Sequence, residues 1–166
     1  MMESLAATVW VFAALLVVTG VLKIVRPTEV ERALRSVDVP AAHGSGRVLG
    51  AAEVVVGVAV FLIDGPLPAV ALTLLYLGFG VFVVVALRSG GVVRSCGCVG
   101  KADTPPNPLH VILNVLGVVS GGAAVSVGSV IWESGPVLES AVAIAMIGIA
   151  IWLAYSIVAL PISWKA

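Results

Sequence analysis

LPAVALTLLYLGFGVFVVVAL, residues 67–87, is a run of 21 residues that contains no charge. A bilayer's hydrocarbon core is about 30 Å thick, and a helix rising about 1.5 Å per residue crosses it in roughly 20 residues. The run is therefore long enough to form a complete transmembrane helix, with Pro66 suited to its first turn and Arg88 closing it at the polar boundary. The rest of the chain agrees, because 60% of its residues are hydrophobic and only 11% are charged, a balance that a water-soluble domain could not hide. Four further apolar runs, residues 5–25, 47–63, 109–131 and 136–160, predict five spans in all within one domain, residues 1–166. The fold class expected is an all-α integral membrane protein. Met1-Met2-Glu3-Ser4 places no basic residue ahead of the first run, unlike a secretory signal peptide, so that run is expected to remain as a span.

The turn sequence Asp64-Gly65-Pro66 makes the second and third spans antiparallel neighbours. Between the first and second spans, residues 28–39 carry Val30, Ala33, Leu34 and Val37 at helical spacing beside Glu29, Glu31, Arg32 and Arg35. This amphipathic pattern predicts a helix lying along the membrane surface, with Thr28 as its cap. Five spans also sort every basic residue onto one face: Lys23, Arg26, Arg32, Arg35, Arg47, Arg88, Arg94, Lys101 and Lys165. The other face carries Glu3, Asp64, Glu133 and Glu139. By the positive-inside rule a multi-pass protein of the cell membrane is expected, with its N-terminus outside and its C-terminus in the cytoplasm. Basic and acidic residues balance at nine each, and no basic run interleaves with aromatics, so a nucleic-acid partner is excluded and the bilayer is the partner the composition demands.

Chemistry concentrates in the loop of residues 88–108. Arg94-Ser95-Cys96-Gly97-Cys98-Val99-Gly100-Lys101 holds both cysteines of the chain, so neither has another internal partner. Closing a disulfide across one intervening residue strains the ring, and Gly97 supplies the freedom to do so. A strained disulfide is readily reduced and suits exchange. Arg94 and Lys101 flank the pair and favour the thiolate, the form that attacks a disulfide. An inert pair and a Cu(I) or zinc site recruiting His110 are the alternatives, the latter short of the four ligands a closed zinc site takes.

Polar residues inside the spans converge in depth on the same face. Glu53 and Lys23 lie at matching depth in the second and first spans and form a candidate buried ion pair, because an ionisable group in hydrocarbon is costly unless paired or facing a cavity. His110 and Asn114, four apart, share one side of the fourth span near its start. Gly46 and Gly50, Gly117 and Gly121, and Ala6, Ala7, Ala13 and Ala14 are small residues of the kind that let membrane helices approach closely.

Taken together, Gly20-Val21-Leu22-Lys23 with Pro27, Leu49-Gly50-Ala51-Ala52-Glu53 with Gly57, Cys96-Gly97-Cys98-Val99-Gly100 and Leu113-Asn114 resemble the MauE branch of the DoxX-like, redox-associated membrane proteins. The resemblance spans residues 5–128, leaving the fifth run outside the shared core, and departs at Val99 and Leu113, where relatives often carry Phe and a basic residue. It implies a four-helix DoxX-like bundle plus a fifth C-terminal transmembrane helix, with Cys96 and Cys98 as a redox pair and Lys23, Glu53 and Asn114 as polar elements of the bundle. It also implies a role like that of proteins linked to methylamine utilisation, which assist disulfide formation beside a thioredoxin-like partner. The leading expectation is thus a membrane thiol–disulfide oxidoreductase that exchanges disulfides or electrons with a thioredoxin-like protein or a quinone held among the helices. A non-catalytic assembly subunit of a larger membrane complex and a Cu(I) or zinc carrier are the alternatives. No phosphate-cradling glycine loop or nucleophile elbow points to nucleotide or acyl chemistry.

Overall fold

The long helices of this chain are apolar on every side, so hydrophobicity alone cannot choose which face each one packs. Residue size makes that choice. A computed structural model describes residues 2–89 and 106–128, together with Ile144, Ala145, Gly148, Ile149, Trp152 and Ser156, which are helical. Among the described residues there are five helices and no strands: α1 (Met2–Val25), α2 (Pro27–Arg35), α3 (Ser45–Leu62), α4 (Pro66–Arg88) and α5 (Pro108–Val127). All but α2 are long and apolar enough to cross a bilayer. The cysteine-bearing stretch and, apart from those six positions, the expected fifth span lie outside the described residues.

Most helix ends shift from expectation by three residues at most, and three local features differ for a visible reason. The amphipathic helix ends at Arg35 rather than 39, running into a turn in which Asp38 adopts φ 58°. Its cap is Arg26 and not Thr28, because Pro27 occupies the first helical turn, where its missing N–H costs nothing. The fourth span stops at Val127 rather than 131, since Gly128 turns left-handed at φ 89° and returns its N–H to the Ala124 carbonyl.

The most extensive packing joins α1 to α3 and α4 to α5, with narrower contacts of α1 on α5 and α3 on α4 completing the bundle. Between α1 and α3 the backbones nearly touch: a Cβ on Gly20 would lie 2.6 Å from the Gly50 carbonyl oxygen, and one on Gly57 would lie 2.6 Å from that of Ala13. The sequence order of these contacts makes the two helices antiparallel. Between α4 and α5, Gly117 lies against the Tyr76 ring and Gly121 against Thr73 and Leu72, again in antiparallel order. Val9, Phe12, Leu16, Val60, Leu72 and Tyr76 fill the space between the pairs. Leu62, Leu67, Leu74, Ile112 and Val119 point outward, as lipid-facing side chains should, and small residues take the interior because lipid offers no hydrophobic contrast to drive packing.

Candidate functional site

The close approach at Gly20 and Gly50 brings the last turns of α1 beside the middle of α3, and there two ionisable side chains meet. Lys23 Nζ lies 2.8 Å from Glu53 Oε2, with Lys23 4% exposed and Glu53 fully buried. Thr19, one turn before Lys23, places its hydroxyl 3.0 Å from the same carboxylate oxygen and 2.9 Å from the Leu15 carbonyl. Its single proton can serve one of them at a time. The ammonium also sits 5.1 Å from the centroid of the Phe79 ring, which carries the charge's influence across to α4. Glu53 Oε1 is buried with no hydrogen-bond partner among the described residues. Such an oxygen is costly to keep, so this cluster is poorly explained as a device for stability alone.

Tyr76 extends the cluster into the core. Its hydroxyl donates to the Phe12 carbonyl at 2.8 Å, and its ring meets Phe12 and Phe79 edge to face at 5.3 and 6.4 Å. Phe12, Tyr76 and Phe79 thus form an aromatic row that ends at Lys23. Beside it a half-open cleft of about 250 Å³ is lined by Lys23, Val30, Leu34, Leu49, Phe79 and Phe82.

His110 and Asn114 do something different. The Asn107 side chain accepts from the His110 N–H at 3.2 Å, while His110 Nδ1 accepts from the Asn107 N–H at 3.2 Å, a reciprocal cap at the start of α5. Asn114 donates to the His110 carbonyl at 2.6 Å. Both residues are buried, but these bonds fasten the start of α5 rather than bridge to another helix. Among the described residues no group of three or more His, Cys, Asp or Glu could hold a metal. Cys96, Cys98, Arg94 and Lys101 lie outside the described residues. The stretch that bears them leaves from the end of α4 and returns at the capped start of α5, and helix alternation puts both at the Lys23 end of the bundle.

Sequence reasoning missed four polar residues. Thr19 and Tyr76 carry no charge and stand in apolar runs, so nothing distinguishes them there from ordinary span residues. Asn107 did leave a trace, since an Asn three residues before a polar side chain and just before Pro108 is a helix-start pattern. Glu31 sits among the polar residues of α2 yet is only 1% exposed: its carboxylate accepts from the Gly44 N–H at 2.8 Å and lies 3.6 Å from Arg35 and 3.8 Å from His43. It ties the surface helix to the start of α3.

A bundle of four candidate spans, apolar outside and closed around a charge pair, defines a multi-pass membrane protein. The family model of methylamine utilisation protein MauE matches residues 1–153, and the chain belongs to that family. The match extends past the core on which the motif resemblance rests and takes in most of the fifth apolar run. No curated protein and no solved structure matches the chain.

Proposed function

We propose that this protein is a membrane thiol–disulfide redox protein working through Cys96 and Cys98. The Cys96 thiolate attacks one sulfur of a partner's disulfide, forming a mixed disulfide as the partner's S–S bond breaks and its other sulfur leaves as thiolate. Cys98 then attacks Cys96 Sγ, releases the second partner thiol and leaves a Cys96–Cys98 disulfide. Two electrons have passed from the pair to the partner, and a thioredoxin-like dithiol resets the pair by the same exchange. In the opposite direction the Cys96–Cys98 disulfide oxidises a partner dithiol, and a quinone, if bound among the helices, would supply the acceptor for the two electrons and two protons. Lys23, Phe79 and Phe82, which line the apolar cleft, would hold such a quinone. Sidedness selects the direction. On a cytoplasmic face, which the basic residues favour, thiols are kept reduced and the pair acts as reductant; on the other face it acts as oxidant.

The observation that carries this reading is the buried Lys23–Glu53 pair. Charges within a bilayer are retained mainly where they act, and an apolar pair of similar size would fold at least as well. Here Lys23 stands in the last turn of α1, at the end of the bundle from which the cysteine-bearing stretch departs, and the spacing of the two cysteines suits thiol exchange.

Replacing the resolving residue tests it. In a Cys98→Ser variant the mixed disulfide on Cys96 cannot be resolved, so a partner is expected to stay covalently attached on a non-reducing gel and to be released by reductant. Full function in a Cys96→Ser/Cys98→Ser variant would instead favour an assembly subunit. Labelling with a membrane-impermeant thiol reagent, after reduction, reports the side of the membrane.

A further inference from the structure

A second cavity, of about 350 Å³, opens where α1 ends, α2 begins and α3 begins. Its wall is charged. Arg26, Arg47 and His43 line it together with Glu29 and Glu31. The two carboxylates are already engaged: Glu29 pairs with Arg32 at 2.9 Å, and Glu31 holds the Gly44 N–H, with Arg35 and His43 beside it. Arg26 and Arg47 make no ion pair among the described residues, and both are exposed. The first turn of α2 adds backbone N–H groups that no side chain caps. The cavity therefore keeps two guanidinium groups whose planar forks match a phosphate.

Its surroundings decide what carries that phosphate. Val25 is part of the cavity wall and is 69% exposed, and Val48, next to Arg47, is 72% exposed. These apolar side chains belong to the ends of two candidate spans, so exposed apolar surface adjoins the guanidinium groups at the cavity. A ligand that satisfies both is amphipathic, with a phosphate head and an acyl body.

We propose that this cavity is a binding site for the phosphate headgroup of an anionic glycerophospholipid, held by Arg26 and Arg47 with the acyl chains running along Val25 and Val48. The site is separate from the Lys23–Glu53 cluster and does not depend on the thiol–redox reading.

The test uses the full chain in nanodiscs of phosphatidylcholine doped with about one-tenth phosphatidylglycerol, a level at which a specific site outcompetes bulk lipid. Native mass spectrometry of the released protein is expected to show phosphatidylglycerol retained about fivefold over its share of the bilayer. Arg26→Gln/Arg47→Gln is expected to abolish that enrichment, whereas Arg88→Gln, at the same end of the bundle but away from the cavity, leaves it intact. Each single variant should weaken it about threefold, so the comparison stands even if the double variant fails to accumulate. Equal enrichment in the wild type and the arginine variants would overturn the proposal, as would an equal loss on Arg88→Gln. Inorganic phosphate that displaces no phosphatidylglycerol supports a lipid site; phosphate that protects the protein from heat as well as the lipid does would overturn the lipid assignment in favour of free phosphate.

Discussion

The α1–α3 and α4–α5 pairs are built on the same plan and use polar groups in opposite ways. Both are antiparallel, and in both glycines bring the helices closer than ordinary side chains allow. In α1–α3 the closeness is spent on charge: Lys23 and Glu53 bond across the gap, with Thr19 on the same oxygen. In α4–α5 the polar side chains of α5 turn back on their own helix, Asn107 and His110 capping its start and Asn114 bonding the His110 carbonyl, while Tyr76 of α4 reaches out of the pair to the Phe12 carbonyl of α1. One pair thus carries an interaction that hydrocarbon makes costly and that leaves an oxygen unsatisfied, and the other carries bonds that a helix needs in any case. The contrast assigns chemistry to the first pair and order to the second.

The sharpest way to break this contrast is to remove one charge. Glu53→Leu leaves the Lys23 ammonium buried without its carboxylate and is expected to destabilise the bundle by about 3–5 kcal/mol, read by thermal or denaturant unfolding in detergent. Lys23→Met/Glu53→Leu removes both and should recover stability to within about 1 kcal/mol of wild type. If the double variant is as unstable as the single, the pair is structural and the contrast fails.

Glycine substitutions sharpen it next. A Cβ on Gly20 meets the Gly50 carbonyl, which is backbone and cannot yield, and one on Gly117 meets Cγ of the Tyr76 ring at 2.5 Å, an atom on the axis about which the ring turns, so rotation does not clear it. Gly20→Ala and Gly117→Ala should therefore each cost about 2–3 kcal/mol, by the same unfolding measurement. Smaller effects belong to the uncharged bonds. Asn107→Ala should cost about 1 kcal/mol and speed amide exchange in the first turn of α5 alone. Tyr76→Phe, which loses one interhelical hydrogen bond, should cost roughly 0.6 kcal/mol.

How much of this the sequence reveals depends on what each feature contrasts with. The spans are legible because an uncharged run of 21 residues has few other uses, and their ends shift by only a few residues where a glycine such as Gly128 forces a stop. Lys23 and Glu53 stand out because a charge in an apolar run is rare, and equal depth in adjacent spans suffices to suggest a pair. The same contrast is absent for Thr19 and Tyr76, whose polarity is mild, and for Glu31, whose neighbours in sequence are also charged and whose burial comes from the chain folding back at Gly44. His110 and Asn114 show the opposite error in kind: their helical spacing is plain, but spacing says which side they share and not whether they face another helix or their own backbone.

The proposed thiol chemistry stands or falls on the oxidation state of Cys96 and Cys98, which chemical trapping reads. Membranes carrying the wild-type chain would be quenched with acid, alkylated with a mass-tagged maleimide before and after reduction, and compared with Cys96→Ser. Cys96 and Cys98 are expected to shift between dithiol and disulfide as the membranes are exposed to reductant and oxidant, and Cys96→Ser is expected to abolish the shift. A wild-type pair that stays fully alkylated as free thiols under every condition, with no disulfide and no mixed disulfide, would contradict it.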